Sequence, residues 1–288
     1  MTNKARTGRG GYNISNESEM IQDAFRNYSQ YLVGLALLVE PEDEKPSAEC
    51  YFYSGFVMQF GREWYWVTAG HIMEQIEPHL SGGVAKRFRL IDNYGFGADR
   101  SNAVPFDYEG SWRYHIYDKR SGLDFGAVEI APFYRRTLQS NAVAVVKMAD
   151  WRRLNPWKFP RFVLTGLADD STTKSKTFKK DHYVVHGKPT PNLILADQIP
   201  MPKGSRLKYK RIAGQISEKW PEGSIVGMSG GPIFGIRLDT PRSPIIAVQS
   251  SWLEGDRIAL GCPITVFGPM LEKQIQKRRK AVVKRRAR

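Results

Sequence analysis

Residues 50–71 read CYFYSGFVMQFGREWYWVTAGH. Two apolar runs make up most of that stretch, CYFYSGFVMQF (50–60) and WYWVTA (64–69), both of strand length and rich in aromatic residues. Such side chains fit a pleated, half-buried surface better than a helix. The pattern continues outward in both directions. YLVGLALLV (31–39) precedes it, and FRLI (88–91), WRYHIY (112–117), FGAVEI (125–130), AVAVV (142–146) and RFVLTG (161–166) follow, then NLILA (192–196), GPIFGI (231–236), PIIAVQSSW (244–252) and RIALGCPITV (257–266). Gly, Pro, Asn and Asp clusters bound these runs, and 26 glycines and 17 prolines supply the turns. This predicts an all-β protein of many short strands, as barrels or a sandwich. The polar first 20 or so residues and the basic stretch ADDSTTKSKTFKK (168–180) break the pattern and read as solvated surface, the latter as a loop. Phe267, Met270, Leu271 and Ile275 fall at helical spacing and predict a closing amphipathic helix. A mid-chain boundary is expected near Pro132–Ser140, where an apolar strand gives way to YRRTLQS.

With 288 residues, 41% hydrophobic and 25% charged, the chain has an ordinary globular mix and can bury a sizeable core. The longest stretches without Asp, Glu, Lys or Arg are 14 residues, too short for a membrane-spanning helix. The N-terminus has no apolar block of the signal-peptide kind, so a cytoplasmic location is expected. Cys50 and Cys262 stand far apart with no paired spacing, which predicts free thiols rather than a disulfide or a zinc site. His182 and His186 in HYVVH can share a strand face, but no ligand set accompanies them, and neither metal nor cofactor is expected. Of the net charge of +14, +8 sits in residues 272–288, where nine basic residues face one Glu. Lys277–Arg288 therefore predicts a mobile basic tail able to dock a polyanion or a regulatory protein, while Lys174, Lys176, Lys179 and Lys180 read as a solvated flap.

Three segments carry chemistry: WVTAGH, ending at His71; GLDFGAVEI, with Asp124; and GMSGGPIFG, with Ser229. Acyl transfer to water needs a hydroxyl nucleophile, an imidazole that takes and returns its proton, and a carboxylate that fixes the imidazole tautomer. All three types are present. Gly227 and Gly230 allow a tight turn that aims main-chain N–H groups at a developing oxyanion, a role assigned here to Gly227 and Ser229.

At these residues the chain resembles the trypsin/chymotrypsin family of serine peptidases. VTAGH is similar to the family's TAAH box, DFGAVEI to its D-[IL]-A-L strand and GMSGGP to its GDSGGP loop, in the family's order His, Asp, Ser with spacings of 53 and 105 residues. The resemblance covers residues 28–275. It implies two six-stranded antiparallel β-barrels and a C-terminal helix: a polar segment 1–27, a first barrel 28–135 with His71 and Asp124, a second barrel 136–264 with Ser229, and a helix with basic tail 265–288. It also implies a serine endopeptidase acting on a protein or peptide through an acyl-enzyme. PIIAVQSSWLEG resembles the strand along which the family pairs substrate, which assigns Ser251 and Trp252 to that wall. Gly223 stands where Lys/Arg-cleaving members carry Asp, with Glu222 beside it as another source of charge. The chain departs from the digestive enzymes in lacking an Ile-Val-Gly-Gly start, in Met228 before the nucleophile position, and in Ile72 where secreted members have Cys. The alternative is a non-catalytic module that binds peptide or nucleic acid on the same scaffold.

Overall fold

In the computed structural model, which describes residues 25–40, 49–80, 85–92, 103–179, 182–202, 206–217, 225–237 and 243–286, the run 50–60 divides at Ser54–Gly55. The first half of the chain holds β1 (Gly34–Glu40), β2 (Glu49–Tyr53), β3 (Phe56–Phe60), β4 (Glu63–Thr68), β5 (Ala85–Ile91), β6 (Val104–Pro105), β7 (Arg113–Asp118), β8 (Leu123–Ile130) and β9 (Val146–Lys147). Strand β2 joins a four-stranded sheet of order β2-β1-β5-β6, and β3 joins a five-stranded sheet of order β7-β8-β4-β3-β9. Ser54 and Gly55 thus form the corner between two sheets. The expectation of a six-stranded barrel here is corrected: among the described residues this half is a pair of open sheets. Of AVAVV only Val146 is in a strand, in a short parallel pairing of β9 with β3.

Alternation along β4 explains why its run is apolar throughout. Trp64 and Trp66 enter a core between the two sheets with Leu35, Leu37, Tyr108 and Val128. Tyr65 and Val67 enter a second core on the other face, with Phe125 of β8 and with Phe234, Val248 and Cys262 from the second half of the chain. A strand covered on both faces shows no polar alternation.

The second half does form a closed barrel. Its strands are β10 (Arg161–Leu167), β13 (Pro191–Ile199), β14 (Ile212–Ile216), β15 (Pro232–Ile236), β16 (Ile245–Leu253) and β17 (Ile258–Pro263), in the order β10-β13-β14-β17-β16-β15. Phe162, Leu164, Ile194, Ile212, Ile233 and Ile246 fill it. The basic stretch read as a loop is instead β11 (Thr173–Lys179), paired antiparallel with β12 (His182–Lys188).

Three helices matter to the site. Helix α1 (Gly70–Leu80) follows β4 and buries Ile72, Met73 and Ile76, while α2 (Pro132–Ser140) opens on a proline in its first turn. Helix α3 runs unbroken from Ile264 to Arg286. Phe267, Leu271 and Ile275 are buried in the core between the halves, as their spacing predicts. The helix does not end there as a mobile tail, because charged groups continue its inward face. Arg278 pairs with Glu129 at 2.5 Å and lies 5.2 Å over the Trp112 ring. Arg279 pairs with Glu63 at 2.9 Å and donates to Phe60 O at 2.7 Å. Among the described residues no helix is long and apolar enough to cross a membrane.

Candidate active site

The chain turns from strand to helix between Thr68 and Gly70, and that turn sets His71. A Cβ at Gly70 would lie 2.2 Å from Ile116 O and 3.0 Å from Phe125 O, so α1 starts closer to β7 and β8 than any larger residue permits. Asp124, on β8, is wholly buried. His71 holds its carboxylate twice: the His71 main-chain N–H donates to Oδ1 at 3.0 Å, and the ring Nδ1 lies 2.8 Å from Oδ2. Carboxylate oxygens accept, so Nδ1 carries a proton, and in the neutral imidazole that tautomer leaves the lone pair on Nε2. The imidazole is 18% exposed and its ring centre is 5.6 Å from that of Tyr117.

Ser229 lies in a turn of the barrel half between Ile225 and β15, and is half-exposed. Gly227 and Gly230 have φ of 90° and 91°, a conformation natural to glycine. At Gly230 space is also short, since a Cβ would lie 2.0 Å from Thr68 Oγ1 and 3.1 Å from Ala69 N. The turn therefore abuts the two residues that lead into α1 and His71. Met228 N–H donates to Ile225 O and Gly230 N–H to Gln249 O, whereas the N–H groups of Gly227 and Ser229 donate to no described residue. Met228 itself is wholly buried in the barrel core. The structure joins His71 to Asp124 and brings the Ser229 turn against the start of α1. No hydrogen bond connects Ser229 to His71; among the described residues the hydrogen bonds of His71 outside its helix go to Asp124.

Two residues of this region were not singled out by the sequence. Ser54, buried at the corner between β2 and β3, donates from Oγ to Gly227 O at 3.2 Å and accepts from Leu167 N–H at 2.8 Å. Its carbonyl accepts from the Thr68 hydroxyl at 2.8 Å. Arg211, just before β14, is 6% exposed; it donates from Nε to Gly122 O at 3.0 Å and from Nη1 to Ser251 Oγ at 2.7 Å. Neither residue has a motif around it, and the partners lie 113 and 89 positions away for Ser54 with Leu167 and Arg211 with Gly122.

Ser251 and Trp252 are half-buried on β16. On one side they pair with Leu260 and Ala259 of β17, while pairing with β15 ends at Val248. Ser251 to Leu253 thus keep an edge with no strand partner among the described residues. Gly223 and Glu222 lie outside the described residues. Both cysteines are free thiols. Among the described residues no three His, Cys, Asp or Glu side chains gather as a metal-binding group.

No protein-family model matches this chain, and no curated protein matches it. Among solved structures it is similar to the protease Anisep from Arthrobacter nicotinovorans, at 12% identity over 81% of this chain and 90% of that one, with a TM-score of 0.45. It is similar as well to the thermostable serine protease AL20 from an extremophilic microorganism, at 13% identity over 82% and 91% of the two chains, with a TM-score of 0.42.

Proposed function

We propose that the protein is a serine endopeptidase. The observation that carries this reading is the two-point grip of His71 on the buried Asp124 carboxylate, at the start of a helix whose lead-in residues Thr68 and Ala69 abut the turn that bears Ser229. Ser229 Oγ attacks the scissile carbonyl carbon as its proton passes to His71 Nε2. The oxyanion so formed accepts from the uncommitted N–H groups of Gly227 and Ser229. Collapse breaks the C–N bond, the amine leaves with the proton from His71, and water activated by the same imidazole hydrolyses the acyl-enzyme. An extended peptide adds as a strand along Ser251–Leu253, with Ser251 and Trp252 forming that wall. The test is modification by a serine-reactive fluorophosphonate: mass shift at Ser229 alone supports the reading, and an unmodified protein refutes it. The missing Ser229–His71 hydrogen bond favours the second reading, a non-catalytic peptide- or nucleic-acid-binding module, although triad hydrogen bonds are often long until substrate closes the site.

The partner reading of the C-terminal end is sharpened by α3. Lys273, Lys277, Lys280 and Lys284 recur at helical spacing on one face and are all exposed, while Arg278 and Arg279 are held inward by Glu129 and Glu63. A straight file of lysines suits a linear polyanion such as a nucleic-acid backbone. Changing these four lysines to glutamine should abolish salt-sensitive binding to DNA or RNA; unchanged binding would refute it.

A further inference from the structure

Arg211 is a buried guanidinium whose described partners are both neutral. A buried cation that finds no carboxylate partner among the described residues is costly, so its retention points to work done by its geometry. Its two acceptors belong to different halves of the chain. Gly122 is two residues before Asp124, and Ser251 begins the unpaired edge of β16. The neighbouring main chain follows the same path, since Tyr209 N–H donates to Ser121 O at 2.9 Å. Strand β16 is irregular at this place: its register with β17 shifts between Gln249 and Ser251. A bulge re-aims the chain and needs something to fix the new direction. The Arg211 fork supplies that, with one arm on the bulged strand and the other on the turn that leads into β8.

We propose that Arg211 is the positioning residue of the substrate edge, holding Ser251–Leu253 in register with the Asp124-bearing strand so that a peptide paired to that edge meets His71 and Ser229 correctly. This rests on the peptidase reading for its substrate, but it is a claim about binding at the edge and can be read without turnover.

The measurement is the affinity of a peptide spanning several residues on each side of the scissile bond, taken in the Ser229→Ala background so that no cleavage occurs. Arg211→Met should weaken binding by about tenfold or more, with Arg211→Lys in between, because one ammonium cannot span both acceptors. Ser251→Ala should weaken it in the same direction, and the double variant should bind no more weakly than Arg211→Met alone. In the active protein Arg211→Met should raise KM for the long peptide while labelling of Ser229 by a small fluorophosphonate stays within a few-fold. Equal peptide affinity with and without Arg211, or strictly additive effects of Arg211→Met and Ser251→Ala, overturns the proposal. If Arg211→Met does not fold, the Lys and Ser251→Ala variants decide. Failure of the peptidase reading shows separately, as absence of fluorophosphonate labelling in the unaltered protein.

Discussion

The two halves of the molecule meet their strand edges differently. The barrel of residues 161–263 closes on itself, so each of its six strands has two neighbours and its core of Phe162, Leu164, Ile194 and Ile246 is self-contained. The first half leaves its two sheets open and turns between them at Ser54–Gly55. It gains cover by packing β4 and β8 against the barrel and against α3, in a core that neither half completes alone. The His71–Asp124 pair belongs to the open half and the Ser229 turn to the closed one. The chemistry proposed for them would depend on how the halves sit against each other, whereas the stability of the barrel depends first on its own filling. The contacts that stitch the seam, Gly230 on Thr68 and Ser54 on Gly227, lie within a few residues of the site itself.

The largest expected effects test the seam as a chemical device. Ser229→Ala should reduce kcat on the order of 10⁶-fold and remove fluorophosphonate labelling, with the melting temperature unchanged, since among the described residues the side chain makes no hydrogen bond. Asp124→Asn follows at about 10⁴-fold, because an amide facing the Nδ1 proton favours the wrong tautomer. Peptide hydrolysis assays on purified variants check both. Full activity in either one would mean that the two halves do not cooperate through these residues.

Next in size is the core between the halves. Phe267 stacks on Phe125 with ring centres 5.3 Å apart and is wholly buried. Phe267→Ala should cost about 3–5 kcal/mol of unfolding free energy, measured by denaturant titration. If the halves are independent in stability, the transition should split in two, with the barrel melting later; a single transition shifted as a whole would show that they unfold together.

Much of this was legible in the sequence, and the parts that were not share a cause. His71, Asp124 and Ser229 each sit in a short motif whose chemistry is local, and the barrel strands announce themselves as apolar runs. Which strands pair is a different matter. In the run 50–60 Ser54–Gly55 is a turn-type dipeptide, which marks a break but not that the chain there leaves for another sheet. The tail was misread for a related reason. Counting apolar residues ends the helix face at Ile275, but Arg278 and Arg279 continue it by satisfying Glu129, Trp112, Glu63 and Phe60 O, partners 149 to 219 positions away. A basic run carries no sign of which of its cations will find such partners.

Smaller effects are expected where those ion pairs hold α3 to the open half. Burial opposes ionisation of Glu63, but hydrogen bonds from Arg279 and Tyr65 outweigh it and hold the carboxyl below its ordinary 4.5. A depressed carboxylate contributes stability that is present above 4.5 and fades as pH falls through the folded value. Both partners are substantially exposed, so Glu63→Gln should cost under about 1 kcal/mol near neutral pH and nothing in strong acid. Thermal melts of the two proteins at pH 7 and pH 3 check it. A difference that grows on acidification would reverse the assigned sign.

The smallest expected effect is none at all, and it bears most directly on whether the seam opens. Cys262 lies in the core between the halves and is wholly buried, while Cys50 on β2 is half-exposed. Burial, with a smaller contribution from the Asp124 charge, pushes the Cys262 thiol up to about 12 against the opposing Arg211 charge and an Asp124 main-chain hydrogen bond. Only the thiolate is nucleophilic, so Cys262 stays unreactive at neutral pH for as long as the core is closed. Dithiothreitol should therefore leave the melting temperature unchanged, since neither thiol is cross-linked; a fall of several degrees would contradict the free-thiol assignment. With iodoacetamide, Cys50 should react first and Cys262 only at the rate of global unfolding. Alkylation of Cys262 in protein whose barrel remains folded would show the halves parting on their own, and would make their separation, rather than unfolding, the motion that exposes the site.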